Sequence, residues 1–278
     1  MAKSERKISA TSSREPRAPS RAKPIALTIA GSDSGGGAGI QADLKTFHAR
    51  GVHGLSVIAA ITSQNTQGVT AVHAVPLAHI RSQLDAVFDD FPVAAVKTGM
   101  LGNASTTRLV ARQVRKRQPA WLVVDPVMIA TSGARLLTED AVTAMVEDLI
   151  PLADILTPNL PEAEALLGWT INKSGDFDRA GQALLDLGAR SVLLKGGHAP
   201  GAIVIDRYYD ARGMLEIRHP RLKREGHGTG CTLASAIAAE LAKGHPARVA
   251  IRTASDYVHR ALARGYRPGG GKVHVLGH

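Results

Sequence analysis

The chain has 278 residues, 44% of them hydrophobic and 21% charged, with a formal net charge of +10. That size and balance suit one folded core, and no apolar run is long enough to read as a transmembrane helix. A single cysteine, Cys231, excludes an internal disulfide and fits a reducing compartment, so a cytoplasmic location is expected.

The first 23 residues, MAKSERKISATSSREPRAPSRAK, hold seven Lys/Arg against two Glu, so half of the net charge sits there. The segment is rich in Ser, Arg and Pro and has no apolar periodicity, which predicts a disordered basic tail over 1–23. It lacks the apolar stretch of a signal peptide, and Glu5 and Glu15 count against an organelle transit peptide. The remaining chain has few aromatics and no nucleic-acid-binding motif, so neither nucleic acid nor membrane is an expected partner.

From Pro24 onward, strands and helices alternate. β-Branched runs predict strands at IALTIAGSD, GLSVIAAITSQN, VAAVKTGM, WLVVDPVM, ADILTPN and SVLLKGG. Helical periodicity falls between them at IQADLKTFHAR, AHIRSQLDAVFDD, STTRLVARQVRKR, TEDAVTAMVEDLI and DRAGQALLDLG. This order predicts an α/β fold with a mostly parallel sheet covered on both faces. AIVIDRYYD and GMLEIRHP then read as an antiparallel hairpin at the sheet edge, followed by two closing helices. With no repeat or linker, residues 24–278 are expected to form one domain.

The strand ends carry GSD, SQN, KTGM, DPVM, TPNLPE and KGGH, and open α/β sheets bind ligands beyond those ends. After the first strand, the glycines of GSDSGGGAG are expected to bring the backbone close to a ligand and aim N–H groups at it, or simply to make a tight turn. Gly37-x-Gly39-x-x-Ala42 fits a dinucleotide fingerprint, but the second strand ends in Gln64 and Asn65 where that fingerprint needs an acid. Taken alone, Asp33 and Asp43 read equally well as cap and helix residues. A carboxamide at Gln64 or Asn65 matches the edge of an aminopyrimidine, and serves equally as a turn residue. Met100 suits apolar contact with such a ring or a place in the core.

Asp125 and Glu162 offer hard oxygen ligands suited to Mg²⁺, although Glu162 also sits where an acid favours a helix start after Pro161. Lys195 ends another strand, where burial demands an anion. EGHGTGCT places Gly226, Gly228, Thr229 and Gly230 before an amphipathic helix, which makes an anion hole. It is not a Walker A loop, because no lysine follows the last glycine. Cys231 in that field is expected to have a lowered pKa and to act as a proton acceptor; the alternative is an inert packing residue.

The ordered motifs GSDSGGGAGIQADLKTF, SQNTQGV, KTGML, DPVM, LTPNLPEAEALLG, LLKGGH and HGTGCTLASAIAA resemble the bacterial hydroxymethylpyrimidine/phosphomethylpyrimidine kinases of thiamin biosynthesis, in the ribokinase-like superfamily. The resemblance runs from about residue 25 to 265. It implies a three-layer α/β/α sandwich, a homodimer, and ATP-dependent phosphorylation of 4-amino-5-hydroxymethyl-2-methylpyrimidine and of its monophosphate. By position it puts Gln64, Asp43, Met100 and Val127 at the substrate, with Asp33 in the loop beside them. Asp125 and Glu162 fall near Mg²⁺, while Lys195, Asn159 and Thr229 lie on the ATP phosphate side. Gly228, Thr229 and Gly230 form the anion hole, and Cys231 stands where ribokinases carry an aspartate base. GSDSGGGAG departs slightly from the more usual GSDPSGGAG. Pyridoxal or pyridoxine phosphorylation, an activity of the same superfamily, is the alternative, and a nucleic-acid-associated basic protein, which would account for the tail, is the outside one.

Overall fold

Side chains leave a strand on alternate faces, and here both halves of the alternation are buried. Leu27, Ile29, Val96, Leu122, Val124 and Leu194 join one core, whereas Ala26, Ala95, Val123, Ile155 and Leu193 join a second. A sheet apolar on both sides is stable only between two helical layers. In a computed structural model, which describes residues 23–128, 137–171 and 174–278, that is the arrangement. The basic tail read over 1–23 lies, apart from Lys23, outside the described residues.

The chain opens with β1 (Ile25–Asp33), α1 (Gly39–Ala49), β2 (His53–Asn65), β3 (Gly68–Ala74) and α2 (Leu77–Asp90). It continues through β4 (Ala95–Thr98), α3 (Ala104–Arg117), β5 (Leu122–Val124), α4 (Glu139–Ala144), β6 (Ile155–Leu156) and α5 (Leu160–Leu167). Then come α6 (Ser174–Asp186), β7 (Val192–Leu194), β8 (Ile203–Asp210) and β9 (Gly213–Pro220). The last elements are β10 (Gly226–His227), α7 (Thr229–Ala242), α8 (Ala247–Ala263) and β11 (His274–Val275). Residues of α1, α7 and α8 pack on one face of the sheet, and those of α2 to α6 on the other.

The sheet runs β3-β2-β1-β4-β5-β6-β7-β8-β9, parallel from β2 to β7 and antiparallel at both edges. β8 and β9 form the expected edge hairpin. The other edge differs from expectation, because GVTAVHA pairs antiparallel with β2 as β3. Five of its seven residues are exposed, so it carries no core-facing apolar pattern. The parallel pair β10–β11 also went unpredicted, being two residues per strand. The helix expected over TEDAVTAMVEDLI is regular only through Ala144, then passes through a π turn and a 3₁₀ turn, where Pro151 removes a donor.

Two features position the site. Strand order reverses at β1, which leaves a crevice beyond the carboxyl ends of β1 and β4. Helix α7 is buried continuously from Thr232 to Leu241, and its many alanines let it lie close against the sheet with its N-terminus at that crevice. Among the described residues no helix is long and apolar enough to cross a membrane.

Candidate active site

Asp33 ends β1 and folds back on its own loop. Its carboxylate accepts the N–H groups of Gly35 (2.7 Å), Gly37 (3.0 Å) and Ala38 (2.8 Å), and its carbonyl accepts that of Gly36 (2.9 Å). The expectation that these glycine amides point at a ligand therefore fails, because Asp33 already takes them. Burial works against the Asp33 charge, but the hydrogen bonds from His227, Ala38 and Gly35 outweigh it and hold the carboxyl below its usual range. The glycines serve close packing instead. A Cβ on Gly228 (φ 81°) would collide with the carbonyl oxygen of Gly37, and one on Gly39 (φ 55°) with that of Gly31. Gly228→Ala is thus expected to lose at least the roughly 1–2 kcal/mol of a left-handed L-residue and to abolish turnover. An alanine variant with wild-type melting temperature and turnover would contradict this.

Gly228 is also the N-cap of α7, and no side chain caps that helix. The amides of its first turn have no intrahelical acceptor and stand at the positive end of the dipole. Their surroundings are charged: a Cβ on Gly230 would lie 3.2 Å from Lys195 Nζ and 3.7 Å from Asp125 Oδ2. The start of α7 at Gly230 thus meets the ends of β5 and β7.

Cys231 overturns its own electrostatic expectation. It keeps some open surface, yet protein surrounds it. Burial pushes the thiol up to about 11; Lys97 and the Gly39 amide favour the thiolate, and the Asp43 and Asp125 charges oppose it. The helix dipole alone does not decide this thiol.

Asp43, expected at the substrate, is instead enclosed. It and Lys97 are both fully buried, with Lys97 Nζ 2.9 and 3.0 Å from the two carboxylate oxygens. Thr28 Oγ1 and Ser235 Oγ each donate to Asp43 at 2.6 Å. Burial works against the Lys97 charge, but Asp43, Cys231 and Asp125 raise its pKa above the ordinary lysine value. Lys97 was not singled out from the sequence, although a lysine inside the apolar run VAAVKTG is a legible signal for a buried partner.

Asp125, Lys195, Glu162 and Asn159 come together at the ends of β5, β6 and β7. Lys195 Nζ lies 2.9 Å from Asp125 Oδ1 and 3.6 Å from Glu162 Oε2, so the anion its burial demands is supplied by the protein. Glu162 and Asn159 form a capping box on α5: Asn159 N–H donates to Glu162 Oε2 (2.8 Å), and Glu162 N–H to Asn159 Oδ1 (2.9 Å). Burial raises the Glu162 carboxyl to about 7, with Lys195 opposing and Asp125 adding to the rise. Asp125 Oδ2 is buried without a hydrogen-bond partner. Among the described residues no three His, Cys, Asp or Glu side chains are grouped to hold a metal ion. Two carboxylates with one orphaned oxygen suit Mg²⁺, which keeps waters and takes its other oxygens from phosphate.

Gln64 and Asn65 separate in role. Asn65 Oδ1 accepts the N–H groups of Gln67 (2.8 Å) and Gly68 (3.2 Å), so it makes the turn between β2 and β3. Gln64 contacts Thr62 and His227 and borders a cavity of about 450 Å³, also lined by Thr66, Gly271 and Lys272. The C-terminal segment crosses the β2–β3 turn there, with Gly271 N–H donating to Thr66 Oγ1 (3.0 Å). Met100 is 8% exposed and packs over Gly31, and Val127 is half-buried beyond β5. His227 and the 270–272 segment were missed as site residues; the histidine lies in HGTGC, but only the fold shows what it faces.

Residues 33–276 match the phosphomethylpyrimidine kinase family. The hydroxymethylpyrimidine/phosphomethylpyrimidine kinase of Rhizobium meliloti is 50% identical over 256 residues, spanning 90% of this chain and 96% of its own length. A solved phosphomethylpyrimidine kinase from Clostridium difficile is 44% identical with a TM-score of 0.77, covering 86% of this chain and 100% of that one. The ADP complex of Bacillus subtilis pyridoxal kinase is 34% identical with a TM-score of 0.86, covering 92% and 97%. Fold and comparisons define an enzyme, a kinase of ribokinase-like fold. Within that class the chain belongs to the phosphomethylpyrimidine kinase family.

Proposed function

We propose that the protein transfers the γ-phosphoryl group of ATP to the hydroxymethyl oxygen of 4-amino-5-hydroxymethyl-2-methylpyrimidine, and then phosphorylates the monophosphate to the diphosphate used for thiamin. The observation that carries this reading is one strand-end edge with the uncapped α7 amides beside Lys195 and Asp125. The Gln64 carboxamide stands beside a cavity on the same edge of the sheet. Further support comes from the names of the relatives.

Phosphoryl transfer needs positioning and charge neutralisation more than covalent help. The amides of Thr229 and Gly230, turned by Gly228, stabilise charge on the transferring group. Lys195 and Asn159 receive the ATP phosphates. Gln64 reads the aminopyrimidine edge, Met100 and Val127 supply apolar contact, and Asp33 holds the loop beside them. Cys231, once ionised, accepts the hydroxyl proton as the new P–O bond forms and the bond to ADP breaks. Asp43 acts from beneath, through Lys97. Asp125 and Glu162 would hold Mg²⁺, whose chemistry is neutralisation of phosphate charge.

The protein is proposed to work in the cytoplasm as a homodimer. β3 is a sheet edge, and Ile61 and Val72 beside it are half exposed. Sedimentation should give twice the 29.2 kDa chain mass, and Val72→Asp should halve it; a monomeric wild type would reject this part. Pyridoxal phosphorylation is a second reading, favoured by the likeness to pyridoxal kinase. ADP release with the hydroxymethylpyrimidine, its monophosphate and pyridoxal separates the two. The pyrimidines are expected to be turned over at least about tenfold more efficiently, as a pocket with dedicated polar groups requires. A preference for pyridoxal would overturn the first reading.

A further inference from the structure

The carboxylate of Asp33, the imidazole of His227 and the carboxamide of Gln64 form one connected row at the mouth of the cavity. His227 Nε2 lies 3.0 Å from Asp33 Oδ2, and Gln64 Nε2 lies 3.1 Å from the same His227 atom. Gln64 Oε1 lies 3.1 Å from Thr62 Oγ1, whose hydroxyl is also 2.9 Å from the carbonyl oxygen of Ser32. Asp33 and His227 are 3% and 7% exposed.

Donor and acceptor counting fixes the row. Asp33 is ionised and only accepts, since its carboxyl lies below the usual range. His227 Nε2 must therefore carry a hydrogen and donate it. Once protonated, that nitrogen cannot accept from the Gln64 NH₂ placed beside it, so the carboxamide is turned end for end and its oxygen shares the one N–H with Asp33. With the carboxamide turned, Thr62 gives its single hydroxyl hydrogen to the nearer Ser32 carbonyl and accepts from the Gln64 NH₂. The two ends of a carboxamide have the same shape; the Asp33–His227 pair decides between them and Thr62 accommodates the result. The ring cannot swing aside. A Cβ on Gly37 would lie 2.5 Å from His227 Cδ2 and 2.8 Å from Val275 Cγ1, and β10–β11 pairing fixes the backbone of His227 opposite Val275.

We infer that His227, anchored by Asp33, is the positioning residue that sets the direction of the Gln64 carboxamide and so the substrate edge this site accepts. With its oxygen held at His227 and its NH₂ at Thr62, Gln64 keeps one acceptor lone pair and one N–H for the ligand, in fixed order. The matching edge is a ring nitrogen acceptor beside an exocyclic amino donor. A ring edge lacking the amino group leaves the oxygen facing nothing.

This rests on the pyrimidine reading above, and the test separates the two. Wild type, His227→Leu and His227→Gln are assayed with the hydroxymethylpyrimidine and with its analogue lacking the 4-amino group. Wild type should prefer the amino compound by about 10–100-fold in kcat/KM, the effect of leaving a buried acceptor unpaired. His227→Leu should cut that preference below about threefold by raising the pyrimidine KM, with the ATP KM nearly unchanged, because the carboxamide is then free to turn. His227→Gln, whose amide N–H can stand in for Nε2–H, should recover most of the preference. A leucine variant with wild-type discrimination, or a glutamine variant no better than leucine, overturns the role of His227. A wild type that does not discriminate sinks the pyrimidine reading itself. Should the leucine variant not fold, ¹⁵N spectra of the intact enzyme decide: His227 must carry its hydrogen on Nε2, and an Nδ1–H tautomer contradicts the inference.

Discussion

Lys97→Met is expected to destabilise the fold by about 3–5 kcal/mol, the range for removing one partner of a buried ion pair. Both members are fully buried, and Asp43 keeps only the two hydroxyl donors Thr28 and Ser235 once the ammonium is gone. The cost arises because a carboxylate without its counter-charge cannot reach water from beneath α7. Lys97→Met combined with Asp43→Leu should recover much of the loss, since an apolar pair of similar volume avoids both desolvation penalties. Urea unfolding of the two variants reads this directly. A single variant within about 1 kcal/mol of wild type would mean that the pair is not needed for stability.

Cys231→Ala is expected to lower kcat by about 10²–10⁴-fold while leaving ATP affinity nearly unchanged, as befits loss of a positioned base. Cys231→Asp should restore part of the rate. Because the thiol is pushed up to about 11, it stays protonated at neutral pH in the ligand-free enzyme. Alkylation by iodoacetamide should therefore be slow at pH 7–8 and climb toward pH 11 rather than level off near the ordinary thiol value of about 8.5. Stability follows the same sign. The folded pKa exceeds the unfolded one, so the folded state holds the proton longer, and this contribution is lost as pH rises from about 9 to about 11. A carboxylate ionises far lower, so the acid limb of the kcat profile should move down by several pH units in Cys231→Asp. Full activity in Cys231→Ala would leave the cysteine as a packing residue and pass its role to another group.

The parallel strands were legible because their middles are near-continuous apolar runs, a pattern that suits a sheet covered on both faces. β3 was not, since GVTAVHA is mostly exposed and its pairing is fixed by the Asn65 turn rather than by any buried face. At the site, the fold brings Asp125, Glu162, Lys195 and the start of α7 to one edge, but with electrostatics the sequence did not show. The glycine loop looked like a ligand cradle, yet its amides close on Asp33, only two to five residues away. The position of Cys231 at a helix start was readable; its pKa was not, because it depends on Lys97, Asp43 and Asp125, which are distant in the chain. The same holds for the row Asp33–His227–Gln64, whose members lie up to 194 residues apart.

Phosphorus NMR of the intact enzyme with ATP, Mg²⁺ and the hydroxymethylpyrimidine tests the proposed chemistry most directly. A phosphate monoester signal should appear as ATP is consumed, then give way to the two coupled signals of a pyrimidine diphosphate, with ADP formed at each step. Cys231→Ala should show the same sequence, slowed by about 10²–10⁴-fold. Consumption of ATP with no ester signal, or an ester formed with pyridoxal but not with the pyrimidine, would contradict the assignment.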